Sequence, residues 1–191
     1  MTSYQELTQD VIGEFVQAAH FDLNKVKALH QQHPAVLNAR WDKYNETALE
    51  ASAHMGRADI ARYLLTAGVP IEICVAAMLG LEDEVSAFLQ ADPSLRNSTG
   101  AHDISLMYHA ALSGNTNIAD MMLQLGNVNG MDAALHGATR FGRTDMVAWL
   151  LKNGATNLQI KNFDAKTPLQ VAIENNLIAI AELLRQHGAT E

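Results

Sequence analysis

Residues 144–155 read Thr-Asp-Met-Val-Ala-Trp-Leu-Leu-Lys-Asn-Gly-Ala, and residues 167–172 read Thr-Pro-Leu-Gln-Val-Ala. The first stretch places Met146, Trp149 and Leu150 on one helical face and ends in a glycine, a residue that adopts the left-handed conformation found at helix ends. The second stretch opens with a threonine, whose hydroxyl can accept a backbone N–H group of a first helical turn. The two stretches therefore predict two short helices of one structural unit.

The same plan recurs six times along the chain. In each copy a short helix with a small residue near its end is followed by a second apolar helix. In the second copy we expect Thr47 to cap the first helix, Gly56 to end it and Gly68 to end the second helix. The residues at this anchor position are Ala19, Ala53, Ala77, Ala111, Thr139 and Ile173, at intervals of 34, 24, 34, 28 and 34 positions. Such recurrence is typical of repeat proteins, in which each unit contacts only its neighbours. Because helices of about two to three turns are marginal alone, we expect stability to come from stacking.

These stretches resemble the ankyrin repeat. Residues 167–172 are similar to its Thr-Pro-Leu-His-x-Ala opening, residues 144–155 are similar to its second helix and Gly-Ala ending, and the interval of 34 agrees with its period of about 33. The resemblance implies an all-α solenoid of about six helix–turn–helix repeats with short β-hairpin loops, forming a single domain over residues 1–191. The expected repeats are approximately 11–38, 46–69, 70–96, 104–127, 132–155 and 166–189.

The unequal intervals between repeats, and the departures from the family pattern, predict where the links between repeats are short. The intervals of 24 and 28 shorten the links where the family places its hairpins. We therefore expect full hairpins only at 39–46, 97–104 and 160–166, so that the repeats group in three pairs. Repeats one and three also end in His33-Pro34 and Asp92-Pro93 instead of Gly-Ala.

Composition excludes several classes of function. The chain has 13 basic and 21 acidic residues, for a net charge of −8, so it lacks the basic surface that a nucleic-acid partner requires. A single cysteine, Cys74, excludes an internal disulfide, and residues 1–6 lack the pattern of a signal peptide. No apolar stretch reaches the length of a bilayer span. We expect a stand-alone cytoplasmic chain, monomeric and without membrane or nucleic-acid partners.

The resemblance also indicates where a partner would bind. In the ankyrin family, the residues just before the turn glycine of the first helix line the concave groove. Carried over to this chain, they include His20, Phe21, His54, Met55, Leu79, Arg140 and Phe141. The four apolar members would form an exposed stripe, and exposed apolar patches usually mark interaction sites. The alternative is that short hairpins let these side chains pack against a neighbouring repeat as core.

The expected hairpin loops supply further candidate binding residues. Arg40, Trp41 and Tyr44 lie in the first loop and belong to the residue types that dominate binding energy at protein interfaces. The alternative is that Trp41 covers the edge of repeat one. Phe163 in the last loop is a similar candidate.

No catalytic residues, metal site or cofactor are predicted, because the common nucleophile, zinc and nucleotide motifs are absent from the sequence. Cys74 lies in an apolar run and is interpreted as a packing residue. His30 and His33 form a pair without a third ligand, and the spacing of His102 and His109 fixes no shared site. His136 occupies the position of the family's structural histidine, which links neighbouring loops by hydrogen bonds.

The sequence thus favours a non-catalytic module that binds a partner protein through the concave groove and the hairpin loops. Two alternatives remain. One is a ligand-binding protein or enzyme with a site between repeats, for which Cys74 and His109 would be the residues to test. The other is a structural protein that self-assembles through an incompletely capped end or the apolar groove.

Overall fold

The computed structural model describes residues 7–191; residues 1–6, on which the signal-peptide argument was made, lie outside the described residues. Twelve α-helices in this part of the chain form six pairs. The first helices of the pairs are α1 (Gln9–Ala19), α3 (Ala48–His54), α5 (Ile73–Leu79), α7 (Leu106–Ser113), α9 (Met131–Arg140) and α11 (Pro168–Glu174). The second helices are α2 (Leu23–Gln32), α4 (Ala58–Thr66), α6 (Glu82–Ala91), α8 (Thr116–Gln124), α10 (Thr144–Asn153) and α12 (Ile178–Gln186).

The helices stack in two layers. Each first helix contacts the first helix of the next pair, from α1 through to α11. In the second layer, α2 contacts α4, and α6, α8, α10 and α12 contact one another in sequence. The expected all-α solenoid is confirmed. No helix within residues 7–191 combines the length and the apolar character that crossing a bilayer would require.

Side-chain caps start several of these helices. The backbone N–H of Glu50 donates to Thr47 Oγ1 at 3.2 Å, and the N–H of Thr47 donates to Glu50 Oε2 at 2.7 Å. Thr167 and Gln170 form the same reciprocal pair at 3.3 and 2.9 Å. Such capping boxes satisfy two backbone donors that a helix start leaves unpaired. The capping role predicted for both threonines is confirmed.

Left-handed residues end the helices where the pattern placed them. Gly56 follows α3 with φ +71°, and Gly68 follows α4 with φ +100°. In the sixth pair Asn176 takes the place of Gly56, with φ +56°. After α2 and α6 the chain instead enters short 3-10 helices, Pro34–Val36 and Pro93–Asn97, because a proline fixes the backbone there.

One of the three expected hairpins has paired strands. β1 (Arg40–Trp41) and β2 (Glu46–Thr47) are antiparallel, with Trp41 opposite Glu46. The second loop keeps only a bridge between Thr99 and Ser105, because a 3-10 turn over Ala101–Asp103 occupies its tip. The third has no strand within the described residues; the N–H groups of its turn donate to the Asn162 side chain instead. The expectation of full hairpins at 97–104 and 160–166 was therefore wrong.

The buried side chains form two clusters along the solenoid. The amino-terminal cluster includes Phe15, Leu49 and Leu64 and takes in Trp41 of the hairpin. The carboxy-terminal cluster runs from Ile73 to Ala189. Each cluster therefore spans several helix pairs, as a stacked array requires.

Gly13 in α1 lies directly under the Trp41 indole. A Cβ at this position would lie 2.6 Å from Trp41 Cε2 and 2.7 Å from Nε1. Alanine is favoured over glycine in a helix by about 1 kcal/mol, but overpacking a buried rigid ring costs about 1–3 kcal/mol. We expect Gly13→Ala to lower the free energy of unfolding in urea by up to about 2 kcal/mol.

Gly137 in α9 supplies the matched control, because it is also a helical glycine. A Cβ there would lie 3.2 Å from Leu112 Cδ2 and 3.3 Å from Tyr108 Cε2, so these neighbours need to move by only a few tenths of an ångström. Gly137→Ala should leave stability unchanged or raise it slightly. A Gly13→Ala variant as stable as the Gly137→Ala variant would show that Trp41 is not fixed against α1.

Candidate functional site

An open cleft of about 570 Å³ lies where the first two helix pairs meet the first two loops; we call it the N-terminal cleft. Its lining residues are Gln17, His20, Phe21, Trp41, Lys43, Tyr44, Glu46, Met55 and His102. Four of the nine partner-binding residues expected from the sequence, Phe21, Trp41, Tyr44 and Met55, are thus brought together in one place.

Phe21 and Tyr44 give the N-terminal cleft an exposed aromatic surface. Phe21 is 68% exposed at the turn after α1, and Tyr44 is 50% exposed at the tip of the hairpin. Lys43 Nζ lies 5.1 Å from the centre of the Tyr44 ring. Met55 is half-buried beside them. The surface therefore combines aromatic, flexible apolar and cationic groups.

Trp41 does not belong to this exposed surface. It is only 8% exposed and packs in the amino-terminal cluster over Gly13. The pleat explains this, since Trp41 and its partner Glu46 both face inward while Arg40 faces solvent. Tyr44 packs edge-on against Trp41, with ring centres 4.8 Å apart. Trp41 thus packs beneath Tyr44. It is a buried residue that covers the first repeat, as the alternative interpretation holds, and not an exposed partner-binding residue.

The other groove residues do not line this cleft. Leu79 and Phe141 are half-buried and pack against the amino-terminal cluster. The Phe141 ring lies against Gly56, so closely that a Cβ there would lie 2.4 Å from Phe141 Cζ. Arg140 is exposed, with its guanidinium 5.7 Å from the centre of the Phe141 ring. A continuous exposed stripe of four apolar side chains is therefore not formed.

The remaining loop candidates lie outside the N-terminal cleft. Arg40 is exposed, but its guanidinium donates to the Asn45 carbonyl and to Glu50 Oε1, the latter at 2.8 Å. These bonds tie it to the hairpin and to α3. Phe163 is fully exposed in the last loop.

Four titratable side chains meet at the floor of the N-terminal cleft, and we call them the histidine–glutamate cluster: His20, Glu46, His54 and His102. Glu46 lies at the centre. The distances are 3.6 Å from His20 Nε2 to Glu46 Oε2, 3.1 Å from His54 Nδ1 to Oε1, and 3.3 Å from His102 Nε2 to Oε1. The rings of His20 and His54 are edge-on at 5.1 Å, and those of His54 and His102 at 5.3 Å.

Four separate segments position this cluster. His20 caps α1, His54 ends α3, Glu46 starts β2, and His102 lies in the loop before α7. His102 and the next residue, Asp103, both have left-handed backbones, with φ +59° and +56°. Non-glycine residues adopt this conformation rarely and at some cost. His102 is thus held over Glu46 by two consecutive left-handed residues, of the types that adopt this conformation more often than other non-glycine residues.

Glu46 is fully buried, which makes its charge state the central electrostatic feature of the site. Burial opposes ionisation most strongly, but the three imidazole rings, His54 foremost, outweigh it and lower the pKa of Glu46. The cluster is thus arranged to hold a carboxylate and not a neutral acid.

The sequence alone does not predict that these four residues meet. His20 and His54 were identified as groove residues, and His102 was set aside for its spacing from His109. A signal was present, because His20 and His54 occupy the same position in consecutive repeats, 34 residues apart. Equivalent positions in stacked repeats lie side by side. The same signal does not exist for Glu46, which lies in the hairpin.

The other histidine and cysteine candidates have structural roles. His136 Nε2 bonds to the Ile160 carbonyl at 2.8 Å, which confirms the expected link between neighbouring loops. His30 Nδ1 bonds to the Tyr63 hydroxyl at 2.7 Å. Cys74 is buried, and burial raises the pKa of its thiol to about 12, so the nucleophilic thiolate is disfavoured.

Comparison with known proteins identifies a family to which most of the chain is similar. A family model described as ankyrin repeats (3 copies) matches residues 73–162 and 132–190. The chain is also similar to a putative ankyrin repeat protein, FPV014, of Fowlpox virus (strain NVSL), with 27% identity over 124 residues. The match covers 62% of this chain and 28% of the viral protein, so the chain spans less than a third of that relative's length. The family match includes His102 but begins after the rest of the N-terminal cleft.

Proposed function

Because the chain belongs to the ankyrin-repeat family, whose repeats are generally non-catalytic protein-interaction modules, we propose that it binds a partner protein through the N-terminal cleft and the adjoining hairpin. The partner is held without chemical change. Phe21 and Tyr44 supply the main contacts, with Met55 and Lys43 beside them.

One observation carries this proposal: the exposure of Phe21 and Tyr44 on the same cleft. Because the Phe21 side chain is 68% exposed, the fold itself leaves most of its apolar area in contact with water. Burying it against a partner removes apolar area from water, at about 25 cal/mol per Å². Aromatic residues are accordingly enriched at protein interfaces. Lys43 adds a cation beside the rings, which favours a partner with an acidic or carbonyl-rich edge at this point.

The test is capture of a partner from native lysate by the wild-type chain and by Phe21→Asp. A central hot spot contributes at least about 2 kcal/mol, so the variant should bind the partner about thirtyfold more weakly. Binding is then measured with the purified partner by calorimetry. Because Phe21 is exposed, the substitution should leave the circular dichroism spectrum and the thermal midpoint unchanged.

Phe163→Asp is the matched control, since Phe163 is also an exposed phenylalanine but lies in the last loop. It should bind the partner as the wild type does. If Phe163→Asp abolishes capture and Phe21→Asp does not, recognition lies at the last loop and the proposed site is wrong. Equal binding by all three proteins would place recognition outside both Phe21 and Phe163 and would also contradict the proposed site.

A further inference from the structure

The buried carboxylate of Glu46 has no well-aligned hydrogen-bond donor among the described residues; His54 Nδ1, 3.1 Å from Oε1, also donates to the Glu50 carbonyl. The Glu46 side chain is inaccessible to solvent, and within residues 7–191 neither oxygen accepts a well-aligned hydrogen bond. Burying a carboxylate without compensation is strongly unfavourable. Among the described residues, the basic groups within 4.0 Å of it are the rings of His20, His54 and His102. The site therefore requires positive charge that neutral imidazoles do not supply.

The hydrogen bonds of two rings define which of their nitrogens carry the proton. His20 Nδ1 lies 2.9 Å from the Val16 carbonyl, and His54 Nδ1 lies 3.1 Å from the Glu50 carbonyl. A carbonyl only accepts, so Nδ1 of each neutral ring carries the proton and Nε2 carries a lone pair. His54 faces Glu46 Oε1 with this protonated Nδ1, 3.1 Å away, so its Nε2 can become a ligand only if the ring rotates. His20 Nε2 then directs this lone pair at a carboxylate oxygen 3.6 Å away. Two facing lone pairs repel unless a cation lies between them.

This arrangement matches the outer shell of metal-binding histidines. Such residues donate the second ring N–H to a backbone carbonyl or carboxylate, which fixes the tautomer. His109 and His187 make similar bonds to carbonyls four residues back without belonging to the cluster, so the bond alone identifies nothing. What sets His20 and His54 apart is that their rings meet at one buried carboxylate.

The distances and ligand types fit a small divalent ion. One ligand atom from each of His20, Glu46 and His54 lies within 4.8 Å of the other two. Ligands about 2.0–2.1 Å from a tetrahedral zinc ion are about 3.4 Å apart, so the ligand atoms must approach one another by up to about 1.4 Å, and the His54 ring must turn, to close the site. His102 supplies a third imidazole from the opposite loop. Imidazole and carboxylate ligands together suit zinc and neighbouring transition metals.

We propose that His20, Glu46, His54 and His102 form a binding site for a divalent transition-metal ion, with zinc as the ion that best fits the donor set. The ion would neutralise Glu46 and accept the imidazole lone pairs. It would also join the first two helix pairs to the loop before α7, since each contributes a ligand. The ion has an entry path, because the side chains of His20 and His102 are 22% and 39% exposed toward the cleft.

The test is calorimetric titration of chelator-treated protein with Zn²⁺ at pH 7.5, alongside thermal unfolding with and without the ion. We expect one Zn²⁺ per chain, a dissociation constant in the micromolar range or below, and a rise in the thermal midpoint, because an ion that binds the folded chain stabilises it. His20→Gln and His102→Gln should each raise the dissociation constant more than about tenfold, since even loss of an outer-shell partner costs about 10–100-fold.

Two further variants keep the result decisive. A His30→Gln/His33→Gln variant removes the other closely spaced histidine pair and should bind Zn²⁺ as the wild type does. Glu46→Gln should abolish Zn²⁺ binding. If this variant does not fold, the His20→Gln and His102→Gln variants, whose folding is checked by circular dichroism, test the proposal, because both side chains are partly exposed. Absence of Zn²⁺ binding to the wild type, or binding that survives both single variants, would overturn the proposal and leave the cluster as imidazolium rings paired with Glu46.

Discussion

Gly56→Ala should lower the free energy of unfolding by about 2–5 kcal/mol, measured by urea denaturation. Gly56 has φ +71°, and a left-handed backbone costs an L-residue about 1–2 kcal/mol. The new Cβ would also lie 2.4 Å from Phe141 Cζ, and overpacking of this kind costs about 1–3 kcal/mol. The two effects act in the same direction, so their sum is expected.

Gly68→Ala separates the two effects. Gly68 ends the next helix with φ +100°, and a Cβ there would meet nothing within 4 Å. It should therefore show the backbone cost alone. Adding Phe141→Leu to Gly56→Ala should recover part of the loss by removing the ring. If Gly56→Ala costs no more than Gly68→Ala, Phe141 does not pack on Gly56 and is free to contact a partner, as the groove interpretation holds.

Lowering the pH should destabilise the protein through His109. This ring is 1% exposed, and burial lowers its pKa to about 4, against about 6.5 in an unfolded chain. Between these values the unfolded chain binds a proton that the folded chain excludes, so stability falls as the pH falls. The contribution is complete above about pH 7, and up to roughly 3 kcal/mol of it is lost by about pH 4.

His109→Gln should reduce this loss, because glutamine does not titrate and its amide can still donate to the Ser105 carbonyl, to which His109 Nδ1 bonds at 2.9 Å. The measurement is the difference in the free energy of unfolding between pH 7 and pH 4.5. The exposed His187→Gln variant is the control for replacing a histidine. An equal pH-dependent loss in His109→Gln and the wild type would show that His109 is not the group responsible.

The parts of the fold that were predictable from the sequence depend on local chemistry. Thr47 and Thr167 cap helices because the residues three positions later reciprocate. Gly56 and Gly68 end helices because they accept a left-handed backbone. The loops at 97–104 and 160–166 were not predictable in the same way. A 3-10 turn in the first and hydrogen bonds to an asparagine side chain in the second replace the backbone hydrogen bonds of a paired β-hairpin.

The candidate site was predictable only in part, since its residues come from four separate segments. Phe21 and Tyr44 are exposed as expected, because each lies at a turn. Trp41 and Glu46 turn inward according to the register of two short strands, which the sequence does not define. Phe141, after the first helix of the fifth pair, reaches Gly56, in the second pair, across the two pairs between them, and no local sequence pattern indicates this approach.

The two tryptophans divide between the two buried clusters, which provides the chain with its own optical probes. Trp41 lies in the amino-terminal cluster, while Trp149 packs against the carboxy-terminal one and donates to Asp120 Oδ1 at 2.8 Å. Replacing either by phenylalanine leaves a single tryptophan, excited selectively beyond the tyrosine absorption, that reports on one end of the solenoid. Whether the two ends melt together or in succession is thereby observable by emission alone, without an added label.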